Sequence, residues 1–321
     1  MEEGEAMNYA KITKEVLVRY PGNPVLTAKD FPVRMRAVYN SSAVKLANGR
    51  YVMLCRTNQL NHLTLLWGAD STDGLKWKLR PEPFEMPADP LWQAVSRSVY
   101  YDPRITFIDG EYKVLIACEG DQHCRVALFT SKDLQTLKFF AYVNIPDNRN
   151  MVIFPEKSKD GRYLRLERPN VGPGGKGNIW LSHSPDLIHW GDSHEVLKAD
   201  VNLWNYAISG LGASTVPYRT PDGWLVIFHA IMNNCTTREY SVGAMLLDLE
   251  QPWIVRHVTK HPILSPEAEY EMRGLVEHVC FPCSKIVEPD GTVKVYYGGA
   301  DTVQCVATGK LEDIIYACKN W

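Results

Sequence analysis

Along this chain of 321 residues, one strand-length, largely apolar phrase, with polar residues at its ends, returns five times. A glycine or Gly-x opens the phrase, an aromatic or β-branched residue follows, and the sixth residue from there is often charged. The copies are Tyr51-Val-Met-Leu-Cys-Arg56, Tyr112-Lys-Val-Leu-Ile-Ala117, Tyr163-Leu-Arg-Leu-Glu-Arg168, Trp224-Leu-Val-Ile-Phe-His229 and Val293-Lys-Val-Tyr-Tyr-Gly298. Successive starts lie 61, 51, 61 and 69 residues apart, a spacing that suits propeller blades better than helical solenoid units.

Each copy is followed by a second apolar run, a polar turn containing aspartate, and an aromatic residue. After the first come Leu65-Leu66-Trp67, Ser71–Gly74 and Trp77; after the third come Ile179-Trp180-Leu181, Ser184-Pro-Asp186 and Trp190. The fifth fades into Val306-Ala-Thr and an apolar stretch, Leu311–Cys318. Short alternating runs separated by Gly, Pro and Asp turns predict antiparallel β-structure throughout. The expected fold is all-β: a five-bladed β-propeller occupying 1–321 as a single domain, with a short N-terminal extension. Closure removes the edge strands that an open sheet of this size would expose. A two-sheet sandwich is the alternative.

Composition narrows the function classes. The formal net charge is −2, with no stretch that interleaves basic and aromatic residues, so nucleic acid is not an expected partner. Apolar runs are strand-length and the first residues are acidic and polar, which predicts neither a membrane span nor an export signal. Eight cysteines stand largely in apolar text, and Cys280-Phe-Pro-Cys283 has no second pair near it. Packed free thiols in a reducing, cytoplasmic compartment are the expectation. His183, His189 and His194 lack evident acidic partners in the sequence, so no metal site is expected.

Alignment of the five copies puts Arg56, Ala117, Arg168, His229 and Gly298 at one station, taken here as part of the inner strands lining a central pocket. Two arginines and a histidine converging beside small residues suit an anion, because guanidinium binds phosphate or carboxylate through paired, charge-assisted bonds. The segments entering the blades form a second layer. Among them, Asp102 stands between aromatics and a proline; burial would raise its proton affinity and Arg104 would lower it. The two residues would otherwise form an inter-blade ion pair. Arg149 and Asn150 precede four apolar residues and are expected to face the pocket. Tyr39, Trp92 and Tyr206 are candidate rim aromatics for stacking on sugar.

With these phrases in hand, the chain resembles the β-mannoside phosphorylases of glycoside hydrolase family 130. The resemblance runs over roughly residues 20 to 316. It rests on Asn23-Pro-Val-Leu-Thr-Ala-Lys-Asp30, Asp102-Pro-Arg-Ile105, Ile153-Phe-Pro-Glu-Lys157, Glu167-Arg168-Pro169, the run Ile179–Gly191, and Tyr296-Tyr-Gly-Gly-Ala-Asp301. It implies that phosphate attacks the anomeric carbon of a terminal β-mannosyl unit with inversion, releasing α-mannose 1-phosphate. The family's catalytic aspartate falls on Asp102, which protonates the leaving oxygen through the sugar's 3-hydroxyl. Phosphate-binding positions fall on Arg149, Asn150, Arg168, His229 and Tyr240, and mannosyl-binding positions on Asn40, Arg56, Arg104 and Asp301. No cofactor or metal is implied; inorganic phosphate or mannose 1-phosphate is the co-substrate, short β-mannosides are the partners, and a homo-oligomer fits the family.

Three positions depart from the family pattern. Tyr101 replaces a usual glutamate, Gly210 falls where a phosphate-site lysine is usual, and Ser241 follows Tyr240 where arginine is common. The departures admit a likeness to a trypanosomatid subgroup of β-1,2-mannosyltransferases and phosphorylases, and a transferase using nucleotide-activated mannose is the second reading. A water-using β-mannosidase, with Glu119, Glu167 or Glu271 as base, and a non-catalytic carbohydrate-binding propeller are the remaining ones. The expected linkage is β-1,2 ahead of β-1,4.

Overall fold

The computed structural model of the protein describes residues 15–96, 99–120, 123–170, 177–200, 207, 209–233 and 238–320. Tyr206 and Cys235 lie outside them. Five antiparallel sheets follow one another along the chain. Val18–Arg19 forms β1. Blade 1 is β2 (Met35–Lys45), β3 (Tyr51–Gln59), β4 (Thr64–Ser71) and β5 (Lys78–Pro83), followed by helix α1 (Pro90–Ser96). Blade 2 is β6 (Val99–Ile108), β7 (Glu111–Gly120), β8 (His123–Ser131) and β9 (Lys138–Tyr142). Blade 3 is β10 (Asn148–Ile153), β11 (Tyr163–Pro169), β12 (Ile179–Ser184) and β13 (Gly191–Leu197). Blade 4 is β14 (Gly210–Ala213), β15 (Tyr218–Thr220), β16 (Gly223–Asn233), β17 (Arg238–Leu247) and β18 (Val255–Val258). After a short helix α2 (Glu269–Met272), blade 5 is β19 (Cys280–Val287), β20 (Thr292–Gly299) and β21 (Val303–Lys310), and helix α3 (Leu311–Asn320) follows.

Closure differs from the sequence expectation. Residues 18–19 are not an appendage: β1 pairs with β21, Val18 opposite Thr308, and so supplies the outer strand of blade 5. Arg19 anchors it through Glu271, whose buried carboxylate accepts from Nε at 2.9 Å. The apolar run after residue 310 is helical rather than extended. Its apolar positions at 311, 314, 315 and 318 recur with the helical period, and Ile314, Ala317 and Cys318 bury against blades 4 and 5.

Apolar faces of neighbouring blades pack in five separate clusters, one per interface. Trp67, Phe129, Phe228 and Tyr296 are fully buried there, each contributing on the order of 1.5–3 kcal/mol by leaving water. Trp92, expected at the rim, belongs to the core instead. It is 3% exposed, 5.0 Å from Phe129 edge-on, and stacked over Tyr142. The polar turns joining third to fourth strands share one geometry: Ser71, Ser131 and Ser184 accept at 2.9 Å from the amides of Gly74, Leu134 and Leu187. All three of those residues have positive φ.

The layering around the axis is the reverse of the sequence reading. The repeated phrases are β3, β7, β11, β16 and β20, the second strand of each blade, and the entering segments β2, β6, β10, β14 and β19 are innermost. The shared station is nonetheless real. Arg56, Ala117, Arg168, His229 and Gly298 pair with Tyr39, Tyr101, Arg149, Gly212 and Phe281, one position on each inner strand.

Candidate functional site

Just past that shared position, three inner strands are broken by the same device. The register shifts between Tyr39 and Ser42, Tyr101 and Arg104, and Arg149 and Val152. The residue at each bulge adopts a left-handed backbone: Asn40 at φ 50°, Asp102 at 52° and Asn150 at 55°. Asn and Asp tolerate this region better than other side-chain-bearing residues, and bulges re-aim side chains beside functional sites. Here they aim three polar side chains into one central cavity of about 230 Å³.

Eight of the ten sequence-predicted residues line that cavity: Asn40, Arg56, Asp102, Arg149, Asn150, Arg168, Tyr240 and Asp301. The other two stand behind it. His229 is fully buried, against Arg168 and the ring of Phe281 at 4.4 Å. Arg104 is 2% exposed; its guanidinium lies 5.8 Å from the Phe281 ring and donates to the Pro103 carbonyl at 3.1 Å. The sequence-proposed Asp102–Arg104 ion pair does not form. Asp102 instead accepts from Arg56 Nη1 at 2.8 Å and from Asn40 Nδ2 at 3.1 Å.

Two adjoining sets of side chains make up the cavity. In the first, Arg56 donates to Asp102 and to the Tyr39 hydroxyl at 2.7 Å, its guanidinium lying over the Tyr39 ring. Tyr39 is thus a buried support, not a rim platform. Asp301 stands near Arg56 and Asp102, and burial, reinforced by the Asp102 charge, lifts its carboxyl to about 6 against the pull of Arg56.

The second set is cationic. Arg149 pairs with Asp147 at 2.9 Å and faces Glu119 at 3.7 Å; Glu119 is itself held by the Tyr101 hydroxyl. Arg168 has no carboxylate partner among the described residues. Burial, with Arg149 beside it, lowers its guanidinium to about 10. Its neighbours are His229 Nε2, 3.3 Å from Nη1, and the Asn150 amide, whose oxygen, turned toward it, accepts at 3.0 and 3.3 Å. Burial, then Arg168 and Arg104, holds His229 well below the usual imidazole range. The neutral ring must accept at Nε2 from a guanidinium that only donates, so its proton sits on Nδ1 and is donated to Ser214 Oγ at 2.9 Å.

Glycines make the room. A Cβ at Gly177 would lie 2.5 Å from Arg168 Cδ, and one at Gly212 would lie 2.5 Å from His229 Nε2. At Gly210, where the family's lysine is usual, a Cβ would fit in ordinary contact, with Ile231 Cδ1 at 3.4 Å and Gly177 N at 3.7 Å.

Sequence reasoning missed Arg238, which lines the cavity with its guanidinium 5.1 Å from the Tyr240 ring. It brings a cation from two residues before Tyr240, whereas Ser241, at the family's arginine position, turns to Glu239. Tyr101 and Phe281 also line the cavity. The seven described cysteines are buried and free. Burial pushes Cys55 and Cys283 up to about 12, and Cys280 and Cys283 pack in different clusters. One histidine reading needs correction: His183 and His194 do converge on Asp192, at 3.7 and 3.5 Å. Arg162 occupies the same carboxylate at 3.0 Å, which disfavours a cation there. No helix among the described residues is long and apolar enough to cross a membrane.

A propeller whose axis gathers an uncompensated guanidinium, three further arginines and a pair of carboxyls is built to bind an anion next to a polyol. The comparisons agree with that class. The chain matches glycoside hydrolase family 130, described as beta-1,4-mannooligosaccharide phosphorylase, over residues 10–320. A beta-1,2-mannobiose phosphorylase from Listeria innocua is 35% identical over 80% of this chain and 69% of its own. A 1,2-beta-oligomannan phosphorylase from Thermoanaerobacter sp. is 34% identical, covering 93% and 98%. The solved Listeria innocua beta-1,2-mannobiose phosphorylase, in complex with beta-1,2-mannobiose, overlays at TM-score 0.85 with 27% identity, covering 94% and 99%. The chain belongs to glycoside hydrolase family 130. A mannose phosphorylase from Leishmania mexicana overlays at TM-score 0.64 with 16% identity over 92% and 88%, a likeness of fold alone that gives the trypanosomatid reading no further weight.

Proposed function

We propose that the central cavity performs reversible, inverting phosphorolysis of short β-mannosides, with β-1,2 linkages preferred over β-1,4. Phosphate sits among Arg149, Asn150, Arg168 and Tyr240, with His229 holding Arg168 from behind and Arg238 adding charge at the mouth. The terminal mannosyl unit sits against Asn40, Arg56, Asp102 and Asp301, with Arg104 supporting the Phe281 wall. A phosphate oxygen forms the new bond to the anomeric carbon as the glycosidic C–O bond breaks. The leaving oxygen takes a proton from the sugar's 3-hydroxyl, which is replenished from Asp102. The products are α-mannose 1-phosphate and a mannoside one unit shorter, and the reverse sequence builds mannosides.

The observation that carries this reading is the carboxylate-free Arg168. An uncompensated cation that is largely withdrawn from water, as Arg168 is, is costly unless an anion completes it. Phosphate is already a nucleophile and requires positioning and charge neutralisation, whereas a water-using inverting enzyme requires a second carboxylate as base. The candidate bases are otherwise engaged. Glu167 is paired with Arg165 at 2.7 Å, Glu271 with Arg19, and Glu119 is held by Tyr101. The linkage preference is supported by the β-1,2 activities named for the Listeria innocua and Thermoanaerobacter enzymes.

The test is to incubate the protein with β-1,2- or β-1,4-mannobiose plus phosphate, and with mannose 1-phosphate plus mannose. Phosphate-dependent turnover in both directions, faster on the β-1,2 substrate, is expected. Equal hydrolysis without phosphate overturns the phosphorylase reading in favour of a mannosidase. Synthesis only from a nucleotide-activated mannose overturns it in favour of the transferase.

A further inference from the structure

At the opposite end of the propeller axis lies a separate cavity of about 340 Å³. The five inner strands lead to it from the central site: Asn40 to Val44, Asp102 to Ile105, Asn150 to Pro155, Gly212 to Val216, and Phe281 to Ile286. Those steps of three to five residues cover roughly 10–16 Å of extended chain. Ser42, Arg104, Ser214 and Cys283, all buried, lie on the intervening segments.

The lining is largely apolar, and Lys285 is its exception. This residue is half-buried rather than sealed. Its Nζ donates to Thr215 Oγ1 at 3.1 Å and to the Val216 carbonyl. Other lysines drawn into the propeller have a carboxylate, Lys113 from Glu111 and Lys294 from Glu288 at 2.6 Å. Lys285 has none among the described residues, and burial alone lowers its amine to about 7. The other titratable groups on the lining are Lys45, paired with Glu288 at 2.6 Å, and the phenols of Tyr112 and Tyr218. An ammonium carries three N–H donors, and Thr215 and Val216 take two of them.

We infer that this far cavity binds a small monocarboxylate with an aromatic or branched aliphatic body. The carboxylate supplies the missing counter-charge and accepts from the third N–H of Lys285 in a charge-assisted bond. The body covers Val44, Ile105 and Ile286, and Phe107 and Tyr218, both exposed, extend the apolar wall. A saccharide would find few partners for its hydroxyls, because the Thr106 hydroxyl is already committed to the Ile153 carbonyl at 3.0 Å. A phosphate or other polyanion would find a single unpaired cation, since Lys45 is taken by Glu288. The volume lies at the lower end of the range for small-ligand sites, about 300–1,000 Å³. None of these residues takes part in the chemistry proposed for the central cavity.

The experiment is calorimetric titration of the full chain with benzoate and with neutral benzamide, in phosphate-free buffer at neutral pH. Benzoate is expected to bind at one site, at least about tenfold more tightly than benzamide. Repeated in buffers of different ionisation enthalpy, its binding should take up about half a proton, as the anion restores the charge of Lys285. Lys285→Met and, as a second replacement, Lys285→Gln should bring benzoate down to the level of benzamide, with a cooperative melt verifying that each variant folds. Arg168→Met, in the central cavity, should leave benzoate binding intact. The inference fails if benzoate binds no better than benzamide or without proton uptake. It fails equally if binding survives both Lys285 replacements, or is lost in Arg168→Met, which would place the anion in the central cavity.

Discussion

Arg168 sets its guanidinium 3.3 Å from the Nε2 of His229 and beside no carboxylate among the described residues. The pairing orients the cation without neutralising it, because burial keeps His229 uncharged. Phosphate should therefore stabilise the fold strongly, by about 2.7 kcal/mol at a hundred times its dissociation constant. Arg168→Met is expected to erase that shift and to raise ligand-free stability by up to about 1 kcal/mol, as a partly buried, uncompensated charge is removed. Thermal melts with and without phosphate check both halves. A variant that keeps the phosphate shift would show that the anion binds elsewhere.

Asp102 is held by Arg56 and Asn40 at the crest of its bulge. Asp102→Asn keeps an oxygen for the Arg56 bond but loses the transferable proton. Both phosphorolysis and synthesis should fall by about 10³-fold, within the range for a general acid, and by the same factor because the two directions share a transition state. The phosphate-induced stabilisation should persist. Initial rates in both directions, with a melt as control, decide it.

Asp301 carries a sign that can be worked out. Its carboxyl is near 3.8 when unfolded and about 6 in the folded chain, chiefly through burial. The folded state thus holds the proton more tightly, and stability falls as pH rises from the lower value through the upper one. Asp301→Asn should be the more stable form at neutral pH, by at most roughly 3 kcal/mol. The gain should shrink to nothing below about pH 4. Loss of the sugar-facing carboxylate should still lower kcat/KM. Denaturant melts across that pH window test the stability half; a gain independent of pH contradicts the assignment.

How much of this was legible before the structure depends on the residue. The second strands read clearly, since Tyr51–Arg56 and its four relatives are strand-length, largely apolar runs opened by turn residues, and their alignment brought Arg56, Arg168 and His229 together. The inner strands did not read as strands. Each bulge places polar residues where the alternation should continue, as in Tyr39-Asn40-Ser41 and Arg149-Asn150, so the two layers were exchanged. Two-residue β1 is too short for any period, and its pairing with β21 spans almost the whole chain. Arg238 is the first residue of β17 and lines the cavity beside strands from other blades, a placement no local pattern encodes.

The last prediction concerns Gly212, which pairs with His229 at the shared station of blade 4. The other inner strands carry Tyr39, Tyr101, Arg149 and Phe281 there, so a side chain is compatible with the strand itself. What excludes it is the second strand: a Cβ at Gly212 would stand 2.5 Å from His229 Nε2 and 2.6 Å from the Asn150 amide. Gly212→Ala must therefore displace one or both of the groups that orient Arg168. Overpacking of this kind costs about 1–3 kcal/mol, and phosphate affinity should fall more than mannoside affinity. KM for phosphate and for mannobiose, measured separately, distinguish that outcome from general destabilisation, which would lower the amount of active enzyme and leave both KM values unchanged.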